Sequence, residues 1–354
     1  MAAWRFMRFY SSRPPGYPFF LALVYELFGS SPRAALVAQA LVDTLTALMV
    51  YYLGRVFLTR SAAYFACGLY ALIAYRVGML MSEVLAAAVF AGVLLLLVTD
   101  QAVRKKSMAL YAGILYGYLV LVRPQMIIFA PLIALYYGQR LSWPAALRPL
   151  VIFGAACALV IAPWLIREYK VHGRFIFLAT IGGRTFHQGN DIPIDGHQIM
   201  LEARKRGLDE VGMDQMLYRE TWDYLKSHPE HAAFEMVRRL GGLWSPFMEG
   251  GDELKLFFNP LWRSESRFKR SVAAVGWVGY VCSRAACYLG LLGMLMGRKR
   301  IKQLAPLYVI PLWLSLFHFL VFYGIPRYLA PAYPVLCVLA GLVFSPVECR
   351  RGGR

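Results

Sequence analysis

The chain has 354 residues, of which 59% are hydrophobic and 16% charged, and its formal net charge is +18. A soluble domain carries about 25% charged and about 45–50% apolar residues, so this composition excludes a wholly water-facing surface and points to lipid as the solvent. A nucleic-acid partner is excluded too, because its footprint would cluster on one polar domain. The polar stretch from Arg167 to Arg270 instead holds 16 Lys/Arg against 15 Asp/Glu, while the other 22 basic residues flank apolar segments with five acids.

In chain order, the N-terminal MAAWRFMRFYSSRPPGYP has neither an apolar core nor a cleavage site, so no signal peptide is expected. Tyr17–Phe28 follows three prolines and is too short to span, and reads as an interfacial or re-entrant helix. Spans are expected at Ala34–Phe57, Ala62–Tyr75, Val84–Val98, Met108–Val122, Gln125–Tyr137 and Leu150–Ile166. Three more follow the polar stretch, at Ala273–Met296, Ala305–Tyr323 and Leu329–Phe344. The expected fold class is therefore all-α, a polytopic membrane helix bundle of about nine spans plus an interfacial helix, with an extracytoplasmic loop subdomain. The divisions are 1–166 for the N-terminal membrane helices, 167–270 for the loop subdomain, and 271–354 for the C-terminal helices and basic tail.

Orientation follows from basic residues in short loops, which stay cytoplasmic. Arg55, Arg60, Arg104–Lys106, Arg140, Arg148, Arg298–Arg300, Lys302 and the tail arginines lie on one side; Arg76, Arg123 and Arg327 face them. The long polar stretch is then extracytoplasmic and the C-terminus cytoplasmic. With an odd number of spans the N-terminus falls outside and must cross unaided, a difficulty that a preceding helix would remove.

Within the polar stretch, Arg167–Asn190 reads as irregular or short strand. Gln198–Arg206, Asp214–Ser227 and Pro229–Leu243 have helical spacing, and in the last Phe234, Val237, Leu240 and Gly241 share one face. Of the six cysteines none falls in this stretch, so neither a disulfide framework nor a zinc site of the usual spacing is expected.

Few residues in the apolar segments can carry chemistry. Asp43 lies inside a span, where a charge is expensive, so it marks either a functional site or an interhelical hydrogen bond through Asp43, Thr44 or Thr46. Glu83 lies where the chain re-enters the membrane; position alone favours a helix-end charge with Ser82 as cap. Arg13, Arg123, Arg167 and Arg327 stand beside or close to prolines at outer membrane ends. Each alone reads as a snorkelling anchor, yet four against the charge trend point to a bound anion, since the arginine fork grips phosphate bidentately.

The stretches RPPGYPFFLALVYELFG (Arg13–Gly29), MLMSEVL (Met79–Leu85), LVRPQ (Leu121–Gln125), APWLIREYKVHGRF (Ala162–Phe175), IGGRTFHQGN (Ile181–Asn190) and GIPRYLAPAYPVL (Gly324–Leu336) occur in a familiar order. With them the chain resembles the polyprenyl-phosphate-sugar-dependent membrane glycosyltransferases of the C type, in particular bacterial relatives of the dolichyl-phosphate-mannose-protein mannosyltransferases. The resemblance implies transfer of a sugar from a polyprenyl-phosphate-linked donor to a glycan, lipid or protein hydroxyl, with inversion, on the extracytoplasmic face. It implies Glu83 as a catalytic acid, Arg123 and Arg327 on the lipid phosphate, and His187, Gln188 and Asn190 beside the sugar or acceptor. It leaves a divalent metal open as cofactor.

In that family a spanning helix precedes the RPPGYP-like segment, and the first outer loop carries a catalytic Asp. Here twelve residues precede Arg13 and the first acid is Glu26. The expectation is a sequence that lacks an N-terminal helix; the alternative is an inactive protein that binds the carrier lipid. A transporter is disfavoured, because no inverted repeat is visible and the candidate residues gather at one interface.

Overall fold

The computed structural model describes residues 11–73, 80–98, 105–246, 266–321 and 323–345, and among these residues it is built of helices without strands. The first half contains α1 (Gly16–Phe28), α2 (Pro32–Phe57), α3 (Arg60–Leu72), α4 (Ser82–Val98), α5 (Lys106–Val122), α6 (Ala130–Arg140) and α7 (Trp143–His172). The polar stretch contributes α8 (Gly182–Asn190), α9 (Gly196–Lys205), α10 (Glu210–Ser227) and α11 (Pro229–Trp244). Helices α12 (Arg267–Met296), α13 (Ile301–Leu320) and α14 (Tyr333–Gly341) follow, with short 3-10 segments at Pro124–Phe129, Gly297–Arg300, Pro326–Ala332 and Leu342–Phe344. A helix lies on each of the nine expected apolar segments. Four stretches are long and apolar enough to cross a membrane by length and composition, Pro32–Phe57, Trp143–His172, Ala273–Leu320 and Pro326–Phe344, and Gly16–Phe28, Ser82–Val98 and Ser107–Val122 are shorter apolar helices. Arg76, Asp100, Arg104, Glu348, Cys349 and the tail arginines lie outside the described residues.

The bundle is layered by hydrophobicity. A helix apolar all round belongs at the centre, and the Pro326–Phe344 stretch is 83% buried, with Val335 to Ala340 sealed by α2, α3 and α12. By contrast the Trp143–His172 stretch is only 22% buried and turns Leu147, Val151 and Leu159 outward. That is the surface a lipid-facing helix needs, and the chain is an integral membrane protein.

One expectation fails in the polar stretch. Arg167–Asn190 is neither irregular throughout nor a strand: α7 runs on to His172, and Gly182–Asn190 is the helix α8. The extension is helical because IREYKVH carries no breaker until Gly173, whose φ of 67° ends the helix in the left-handed region that glycine favours. Helix α8 starts without a cap of its own, and Asp214 of α10 supplies one across space by accepting from the Gly183 N–H at 2.7 Å. Burial pushes that Asp214 carboxyl up to about 6. The later helices fall close to the expected spans, α10 opening on Asp209 (Oδ1 to Gly212 N–H, 2.9 Å) and α11 on Pro229 in its first turn.

The most extensive helix pair is α5 against α7, and small residues permit it. Gly113 and Gly117 form a G-x-x-x-G on α5, a spacing that lets backbones approach in lipid. A Cβ on Gly113 would stand 2.4 Å from the Phe153 carbonyl oxygen, and one on Gly117 would stand 2.9 Å from that of Cys157. Gly113→Ala should therefore lower thermal stability in detergent, by an overpacking cost of about 1–3 kcal/mol. Gly154→Ala, on α7 with nothing within 4 Å, should leave stability unchanged or raise it. Equal melting temperatures for the two variants would contradict this packing.

Candidate functional site

Two prolines build the site. Helix α5 ends at Val122 because Pro124 disfavours helical geometry at the residue before it, and Arg123 is extended (φ −144°, ψ 102°). Ile325 before Pro326 is likewise extended, and Arg327 sits in the 3-10 segment that leads into α14. Both arginines point at the first turn of α4. Arg123 Nη1 lies 2.9 Å from Glu83 Oε1, and Arg327 Nε lies 3.5 Å from the same oxygen. The Tyr328 ring lies near both guanidiniums, their Cζ atoms 5.3 Å and 5.6 Å from its centroid. With its amide oxygen turned inward, Gln125 accepts from Arg123 at 2.9 Å and 3.1 Å.

Glu83 is thus not a solvated helix-end charge. Its side chain is 4% exposed and that of Arg123 6%, whereas Arg327 at 27% remains reachable from outside. Removing one partner of such a buried pair strands the other charge, a cost of about 3–5 kcal/mol, far above that of a helix-end charge.

Behind Glu83 lies a cavity of about 20 Å³, room for roughly one water, lined by Asp43, Tyr70, Ile73, Val84, Ala87, Ala330 and Tyr333. Asp43 accepts a hydrogen bond from Tyr70 at 2.9 Å, joining α2 to α3, while Thr44 and Thr46 donate to their own helix at Ala40 and Val42. Asp43 therefore makes the interhelical bond, and it also lines the cavity beside Glu83. From the far side Arg284, buried within α12, donates to the Tyr333 hydroxyl and to Ser245 O. Arg284 was legible as an arginine inside an apolar span; Tyr328, Tyr333 and Gln125 carried no such signal. Among the described residues no three His, Cys, Asp or Glu side chains are grouped to hold a metal ion, and Glu83 is already engaged by guanidiniums.

The remaining candidates lie elsewhere. Arg167 is held in a second cluster: it donates to Glu168 at 2.6 Å and to Ser11 Oγ at 2.9 Å, over the Trp164 ring. His172 Nε2 reaches Ser11 Oγ at 2.8 Å and Glu210 Oε1 at 3.2 Å in the same cluster. These contacts tie the chain just before the RPPGYP segment to α7 and α10. Arg13 is exposed, and its charge adds to burial in depressing Arg184. Burial pushes His187 below its usual range against the pull of Asp195 and Asp191, and its Nδ1 pairs with Thr221 Oγ1 at 3.1 Å. Asn190 accepts from Arg239 at 2.7 Å, and its carbonyl meets His231 Nε2 at 2.9 Å. Of the loop trio only Gln188 is exposed.

Residues 12–166, which hold Arg13, Asp43, Glu83 and Arg123, match the family model described as dolichyl-phosphate-mannose-protein mannosyltransferase. No curated protein matches the chain. Among solved structures, the apo oligosaccharyltransferase of Archaeoglobus fulgidus is similar with a TM-score of 0.53 and 14% identity, over 95% of this chain and 43% of that one. The oligosaccharyltransferase AglB of the same organism, with an inhibitory peptide and a dolichol-phosphate, gives a TM-score of 0.43 and 16% identity over 95% and 43%. ArnT from Cupriavidus metallidurans in the apo state gives 0.41 and 16% over 94% and 68%. The chain thus spans less than half the length of the archaeal enzyme. It shares the fold of that archaeal oligosaccharyltransferase and, over residues 12–166, resembles the dolichyl-phosphate-mannose-protein mannosyltransferases.

Proposed function

We propose that the chain is a membrane glycosyltransferase that moves a sugar from a polyprenyl-phosphate carrier to an acceptor hydroxyl on the extracytoplasmic face. The observation that carries this reading is the meeting of Glu83 with Arg123 and Arg327, from three distant parts of the chain, both arginines standing beside a proline. In the reaction the bond from the sugar C1 to the carrier phosphate breaks, and the acceptor oxygen bonds C1 from the opposite face. The acceptor proton is released to water, and the departing phosphate keeps the electron pair of the broken bond, so charge grows on it. Arg327 and Arg123 hold that phosphate as fixed donors placed where charge develops, while Glu83 fixes their forks between turnovers. So engaged, Glu83 is a positioning residue rather than the base.

That engagement also supports a second reading, a protein that binds the carrier lipid without turning it over. Transfer of a labelled sugar from polyprenyl phosphate by the purified chain separates the two.

Two further outcomes test the site. Arg327→Ala should weaken binding of a polyprenyl phosphate in nanodiscs by roughly tenfold or more, since a charged hydrogen bond contributes about 1.5–3 kcal/mol. Arg327→Lys should recover only part, lacking the bidentate fork. Affinity for the neutral polyprenol should not change, and equal loss for both lipids would reduce Arg327 to an interface anchor. Glu83→Gln should act with opposite signs: a lower melting temperature without lipid, because two guanidiniums lose their counter-charge, and tighter binding of the phosphorylated lipid. Weaker phosphate binding in that variant would show that carboxylate and phosphate do not share these arginines.

A further inference from the structure

The apolar stripe of α11 faces outward. Phe234, Val237 and Leu240 are 64%, 66% and 37% exposed, whereas Glu235 and Arg239 of the same helix are buried against the bundle. In water this arrangement is inverted, since an amphipathic helix turns its apolar face to the core.

The helix's depth explains the inversion. Arg239 donates to the carbonyls of Phe319 and Leu320, at the end of α13 remote from the basic turn Arg298–Arg300. Five residues on, Trp244 Nε1 donates to Ser315 Oγ, and the Trp244 carbonyl accepts from the Tyr288 hydroxyl. At 1.5 Å per residue, Ser315 lies about 21 Å along α13 from Ile301, and Tyr288 about 12 Å along α12 from Met296. A bilayer core is about 30 Å thick, so anchors about 12 and 21 Å from the basic turn set Trp244 within that thickness. The polar stretch therefore re-enters the apolar layer along α11. Its stripe also continues the outward row Leu312, Leu316 and Leu320 on α13, against which α11 packs.

We infer that α11 is inserted in the leaflet on the loop side, with Phe234, Val237 and Leu240 in contact with lipid acyl chains. The inserted helix also backs the segment that carries Arg327. A Cβ on Gly324 would stand 2.0 Å from the Arg239 carbonyl oxygen, and α11 packs against Pro326–Ala332.

Nitroxide labels on single cysteines at positions 234, 237 and 240, in a cysteine-free full chain in phosphatidylethanolamine–phosphatidylglycerol nanodiscs, test this. The ratio of oxygen to nickel-chelate accessibility should rise in that order and exceed, several-fold at 240, the ratio for a label at the exposed Lys226. A nickel-chelate accessibility at 237 and 240 equal to that at 226 would overturn the inference. So would dipolar broadening between labels, which would seat a second copy of the chain on this face. Because a label at 240 can perturb packing, the unmodified chain is also irradiated with a phospholipid carrying a diazirine in its acyl chain. Adducts within residues 233–241 are expected, and their absence while adducts form on Leu312–Leu320 counts against insertion.

Discussion

One carboxylate oxygen organises one end of the bundle. Glu83 opens α4, and the two guanidiniums that reach it arrive from the end of α5 and from the approach to α14. Charges in an apolar medium must be matched or they are not tolerated, so this triad fixes where three helix ends stand relative to one another. The prolines beside each arginine do the complementary work. Pro124 stops α5 early and Pro326 holds Ile325 extended, which lets the backbone turn inward where protein surrounds it.

Much of the helical pattern was legible from apolar run length, and so was the all-α class, because segments such as Ala34–Phe57 leave no other structure open in lipid. The triad's members were legible as well: Arg123 and Arg327 stood out as basic residues beside proline, and the family-like strings singled out Glu83. Their mutual contact was not, since residues 83, 123 and 327 share no local periodicity. Position alone made Glu83 a helix-end charge, because sequence reports a helix's start but not what packs over it.

The polar stretch was read least well, for two physical reasons. Helix α8 receives its capping acceptor from Asp214, 31 residues away, so GGRTFHQGN has no local helix signal. Helix α11 has a clear amphipathic period, and the period says nothing about which solvent the apolar face meets. His187 and Asn190, buried and bonded to Thr221, Arg239 and His231, hold α8, α10 and α11 together, contacts that no local pattern announces.

The glycine contact between α5 and α7 has a mechanical consequence. With carbonyl oxygens of one helix seated against the bare Cα positions of the other, neither sliding nor rotation leaves the interface intact, and the pair moves as one strut. Arg123 and Arg167 sit at the same end of that strut and keep a fixed spacing. Any widening between Arg123 and Arg327 must then come from the opposite side, the proline-bearing stretch from Gly324 to Ala332, whose own support is α11.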